Sequence, residues 1–179
     1  IQPDQVDEFR QVLGQAQVSD YDWYPMIRGR LVRINGKDVK PSDYPEERAQ
    51  RLVDREFNLT TAQDMPAHNE LVGGTYRQGD GVGQLSVEEG LMKTLNLRLG
   101  DRLTFDVAGQ TSEARITSVR KLDWASMRVN FFVIAPRDKV PEWPETYIAA
   151  FKLPVGSPLD RTLVQRFPNI TLVDVSMSL

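Results

Sequence analysis

The chain has 179 residues, with 22 Lys and Arg against 25 Asp and Glu, a net charge of −3 and no cysteine. Apolar residues make up 40% and charged residues 26%, enough for one ordinary core or two small ones, which excludes a disordered or fibrous chain. The slightly acidic balance argues against a nucleic-acid binder, which carries a basic face, and the missing cysteines remove disulfides and thiolate metal sites.

Pro3 opens a helical pattern in which Val6, Phe9, Val12, Leu13 and Ala16 recur at helical spacing. Tyr24 to Asn35 reads as a strand ending in the Asn35-Gly36 turn, with a short return at Val39. Asp43 to Glu56 reads as a second helix, with Asp43 and Glu46 as a capping box and Ala49, Leu52 and Val53 inside. Phe57 to Thr60 is extended. Pro66 to Gln84, with Gly73, Gly74, Gly79, Gly81 and Gly83, reads as a turn-rich linker.

Ser86-Val87-Glu88-Glu89 reads as a capping box opening a short helix with Val87, Leu91, Met92 and Leu95 inward. Leu103, Phe105 and Val107 alternate before an Ala108-Gly109 turn, and Thr111 to Val119 returns as the second arm of a hairpin. Val129 to Ala135 reads as a buried strand. Thr146 to Leu153 is a strand, Leu159, Leu163, Val164 and Phe167 form one face of a helix, and Ile170 to Val175 is a strand.

Strand–helix–strand units therefore stand at both ends, the first with its leading strand expected before Ile1. The fold class expected is α+β: a split βαβ, ferredoxin-like subdomain from residues 1–70 and 144–179, with a small β-rich subdomain, residues 71–143, inserted in it. No apolar run approaches the ~20 residues of a membrane-spanning helix. Both ends read as cut, leaving room for a membrane anchor on either side.

Chemistry-bearing patterns are sparse. His68 is the single histidine, and a triad using it with Asp64 has no Gly-x-Ser-x-Gly elbow to draw on. One histidine and no cysteine are too few for a His-based zinc site. The glycines from Gly73 to Gly83 lack the Lys-Ser or Lys-Thr of a phosphate loop. Glu88 with Glu89, Asp20 with Asp22 and Glu46 with Glu47 are neighbours that do not face each other across a cleft. No catalytic, cofactor-binding or metal residues are therefore assigned. The interface candidates are Arg28 and Arg30, on one strand face with Arg33 on the other, and the large side chains Trp124, Met127 and Trp143, of which Trp143 is expected to be the most exposed.

Several ordered runs carry a resemblance: Tyr24-Pro25-Met26-Ile27-Arg28-Gly29-Arg30-Leu31 with Asn35-Gly36; Arg55 to Thr60; Ser86 to Gly90 with Leu97 to Asp101; Asp123-Trp124 with Val129 to Phe132; and Thr146-Tyr147-Ile148 to Leu153-Pro154. In this order the set resembles FtsX-like ABC transporter permeases with a MacB-like periplasmic core domain, of the YbbP-like branch. The resemblance implies a periplasmic domain of an inner-membrane permease, folded as an α/β porter part with an inserted sabre part. It implies a separate cytoplasmic ATPase subunit as partner, no cofactor and no catalytic residue in this domain. The function expected is transmission of ATP-driven motion to a periplasmic partner or an amphiphilic substrate. The alternatives are a docking platform for a periplasmic thioesterase or lysophospholipase, a direct lipid-binding module, and an esterase using His68.

Overall fold

The computed structural model describes residues 1–18, 21–123, 128–153 and 156–172. In chain order the elements are α1 (Val6–Gln15), β1 (Tyr21–Ile34), β2 (Lys37–Asp38), α2 (Glu47–Val53), β3 (Glu56–Thr61), β4 (Asn69–Gly74), β5 (Gln84–Glu88), α3 (Glu89–Thr94), β6 (Arg102–Val107), β7 (Gln110–Leu122), β8 (Val133–Ala135), β9 (Thr146–Phe151) and α4 (Leu159–Arg166). The mixed, sheet-rich α/β composition agrees with the coarse fold class expected. Contacts divide the chain into two compact units.

The first unit draws on residues up to 25, on 128–129 and on those from 145 onward. Pro3 starts a 3-10 turn that leads into α1, whose Phe9, Val12 and Leu13 are buried at helical spacing. They pack with Leu159, Leu163 and Phe167 of the α4 region, and Trp23 and Phe151 border the cluster. Strand β9 pairs with β1, and Ile1 exchanges both main-chain hydrogen bonds with Tyr147, at 3.0 and 2.8 Å. Val164, expected on the inner face of α4, is 51% exposed: it follows Leu163 by one residue and so turns about 100° away from the buried side. Residues 170–172 form no strand, and the rest of the strand expected to Val175 lies outside the described residues.

The second unit comprises the described residues of 26–123 and 130–144. Its strands close on themselves. Strand β1 pairs antiparallel with β3, β3 parallel with β8, and β8 antiparallel with β5. Strand β5 pairs parallel with β7, β7 antiparallel with β6, and β6 antiparallel with β1. The result is a six-stranded ring, in which β2 and β4 are additions outside the circuit. Alternation along each stave points Ile27, Leu31, Leu59, Leu85, Val87, Leu103, Phe105, Val107, Ile116 and Val133 into a common core. The side chains of α2 (Ala49, Leu52, Val53) and α3 (Leu91, Met92) join it. Gly29 is a tight inner position: a Cβ there would stand 2.8 Å from Leu59 Cδ1 and 3.2 Å from Val107 Cγ2, so Leu59 would have to shift.

Several local expectations are corrected. Strands β1 and β3, which precede residue 71, are staves of the ring in the second unit. The expected linker from Pro66 to Gln84 contains β4, paired with β7 from Asn69 to Gly74. The strand expected from Val129 is confined to Val133–Ala135. Asp43 does not cap α2; its carboxylate accepts from the Lys40 N–H and closes the preceding 3-10 turn. Ser86 is a strand residue, and the cap of α3 is Glu88, whose carboxylate accepts from the Gly90 and Leu91 N–H groups at 2.7 and 2.8 Å.

Candidate functional site

Arg28 and Arg30 are exposed on β1, between buried Ile27, Gly29 and Leu31. Directly across the ladder, Arg30 faces Glu56 of β3 and Asp106 of β6, and Arg28 faces Asn58. The β1–β6 register slips between Leu31 and Arg33, so that Arg33 pairs with Thr104. Thr104 lies two residues from Asp106 on the same face of β6. The bulge therefore brings Arg33 round to the side of Arg30, correcting the expectation that it points the opposite way. Arg33 meets Asp38 at 3.3 Å and Arg102 meets Glu113 at 3.6 Å on this wall. The outer face is a checkerboard of both signs, which holds no concentrated positive field.

Trp143 is half-buried and packs against the core of the ring. With Leu59, Thr60, Leu85, Phe105, Ser112, Ala114, Val133 and Ala135 it lines an apolar cavity of about 20 Å³, room for roughly one water. Trp143 thus packs inward on the ring, whereas Arg28 and Arg30 point outward from β1, so the candidates do not form one surface. Trp124 and Met127 lie outside the described residues. His68 is a half-buried turn residue, and the Ser86 hydroxyl is engaged by Arg120 at 2.8 Å. Among the described residues no group of three or more His, Asp or Glu is placed to hold a metal ion.

The most unusual polar feature was not read from the sequence. Arg120, on β7, is completely buried. Its Nε donates to Ser86 Oγ, its Nη1 to Asn69 Oδ1, and its Nη2 to the carbonyls of Ser86, Phe131 and Phe132 at 3.2, 3.0 and 3.0 Å. Burial lowers its pKa to about 10, while Tyr76 and Glu88 act the other way, so the guanidinium stays charged at neutral pH. Glu88 pairs with Arg120 in the β5–β7 register. One cation thus pins β4, β5 and the 131–132 segment to β7. The signal was present: Ser118, Arg120 and Leu122 recur with period two on the inward face. In the first unit, Asp22 accepts from Arg128 Nη1 at 2.8 Å and from the Val129 N–H at 3.3 Å. Burial, reinforced by Asp22 and opposed by Arg128, raises the pKa of Tyr24. These clusters fix backbone; none presents a nucleophile beside a base.

No family model matches the chain. It is similar to the ABC transporter permease YbbP of Escherichia coli (strain K12), with 35% identity over 175 residues, 98% of this chain and 21% of the permease. It is also similar to the crystal structure of a domain assigned to a permease of Porphyromonas gingivalis, with a TM-score of 0.44 and 17% identity, over 88% of this chain and 73% of that one. The chain spans about a fifth of the length of the curated relative it matches. Among the described residues no helix is long and apolar enough to cross a membrane. Along nearly its whole length, the chain is related to one segment of an ABC transporter permease of the YbbP kind.

Proposed function

We propose that this chain is the periplasmic domain of an FtsX-like inner-membrane permease, and that it passes motion driven by ATP hydrolysis in a separate cytoplasmic subunit to a periplasmic partner or an amphiphilic substrate. The observation that carries the reading is the match of 98% of the chain to 21% of a permease, which supports reading it as one part of a transport machine. Two units, each with its own apolar core, suit a part that moves as bodies rather than one that reacts. The committed hydroxyl of Ser86 and the structural use of Arg120 and Glu88 support a non-enzymatic role. In this reading residues 1–25 and those beyond 144 belong to the porter-like part, and the barrel to the sabre-like part.

The test uses the full-length permease with its ATPase. The chain has no cysteine of its own, so an Arg28→Cys variant supplies a single reporter in this segment, on an exposed residue. A membrane-impermeant maleimide added to spheroplasts is expected to label it, at a rate that changes at least twofold when ATP hydrolysis is trapped with vanadate. Labelling only after lysis overturns the periplasmic placement, and a rate indifferent to nucleotide overturns transmission of motion.

A further inference from the structure

The ring of the second unit has a gap in its wall. The β6–β7 hairpin turns through Ala108 and Gly109, both at positive φ (52° and 84°), so Val107 and Gln110 close a two-residue loop and form a hydrogen-bonded pair. Alternation from that pair sends the main-chain groups of Gln110, Ser112 and Ala114 toward β6, and those of Thr111, Glu113 and Arg115 toward the opposite edge. Arg115 follows this rule: its N–H reaches the Gly83 carbonyl at 2.9 Å, where β5 begins. β5 pairs with β7 only from Arg115 onward. Among the described residues no strand adjoins Thr111 and Glu113 on that side.

Beside this open edge lies the cavity under Trp143, with Ser112 and Ala114 in its lining. Trp143 comes from the irregular segment after β8, and its indole makes no hydrogen bond among the described residues. Apolar contact holds the indole there, and the Trp143 main-chain N–H donates to the Val140 carbonyl at 3.0 Å.

We infer that the Thr111–Glu113 edge of β7 and the notch filled by Trp143 form a strand-addition site for an extended peptide segment of a partner protein, with one large apolar side chain of the peptide taking the place of the indole. The free N–H and C=O groups of the edge select a polypeptide over an alkyl chain, which would leave them unpaired. Glu142 next to Trp143, and Glu113 at the edge, are exposed acids, with Arg102 offsetting Glu113 in part. Their charge favours a segment whose apolar residue is flanked by Lys or Arg. The site lies wholly in the second unit and goes beyond the transport reading, so a failed labelling test leaves it standing, and its own failure leaves that reading untouched.

The probe is a fluorescein-labelled, capped heptapeptide of alternating Thr and Val with a central Trp and terminal Lys residues, titrated by fluorescence anisotropy. Trp143→Ala is expected to bind it at least fivefold more tightly than the unaltered chain, because the resident side chain no longer competes. Glu113→Pro removes an outward N–H while sparing every main-chain bond to β6; it is expected to weaken binding at least tenfold, whereas Glu113→Thr, which loses the same side-chain contacts to Arg102 and Thr104, keeps most of it. A peptide N-methylated on alternate residues is expected not to bind, a control that leaves the protein unaltered. Absence of saturable binding to Trp143→Ala overturns the site, as does binding that survives both Glu113→Pro and N-methylation. Oleate taken up by Trp143→Ala in preference to the peptide overturns it too, in favour of a lipid chain.

Discussion

Arg120 shows how much one residue organises. A guanidinium with no exposure and five neutral acceptors has exchanged its hydration for carbonyl, amide and hydroxyl oxygens. Removing it leaves those buried oxygens without their donor, and an unpaired buried polar group is costly. Arg120→Met, similar in length and apolar, is expected to lower the unfolding free energy by about 3 kcal/mol, measured by urea denaturation. A loss under about 0.5 kcal/mol, the range of ordinary surface substitutions, means that the network contributes no net stability. Arg28 and Arg30 are the opposite case: exposed on a wall of mixed charge, they carry little of the fold.

At the scale of elements, capping and register decide what pattern alone leaves open. The run Ser86-Val87-Glu88-Glu89 supports two caps. The structure takes Glu88, because Ser86 is still a β5 residue between β7 and β8. α3 has only six residues and depends on that cap. Glu88→Ala is expected to cost about 1 kcal/mol and to speed hydrogen exchange at the Gly90 and Leu91 amides, followed by NMR. Unchanged exchange at both amides would show that packing of Leu91 and Met92 holds the turn without help. The β1 bulge is the second instance: one extra residue moves Arg33 to the face of Arg30, which strict alternation cannot foresee.

For the whole molecule, the two cores are separate sets of residues. One centres on Leu13, Leu163 and Phe167, the other on Val87, Leu103 and Ile116. Such cores support sub-global opening of one unit at a time. Leu163→Ala removes a fully buried side chain from the first core and is expected to destabilise that unit by about 2–5 kcal/mol. Native-state hydrogen exchange reads the outcome: protection of Leu13 and Tyr147 amides falls, while that of Val87 and Ile116 holds. An equal fall in both sets means that the chain opens as one cooperative body.

The sequence by itself determined most element positions, since the period of apolar residues and the turn chemistry of Asn35-Gly36 and Ala108-Gly109 are local properties of the chain. It also determined kinship, because five ordered runs were enough to point to a permease later matched over 98% of the chain. Closure of the β-ring was decided only by the tertiary structure. Pairing of β1 with β6 and of β3 with β8 joins residues tens of positions apart, and no local pattern encodes such partners. The same holds for Arg120, whose period-two spacing said inward but whose five acceptors come from β4, β5 and the 131–132 segment. Trp143 was legible as a large apolar residue; that it stops a gap in a barrel wall follows only from where β5 begins relative to β7.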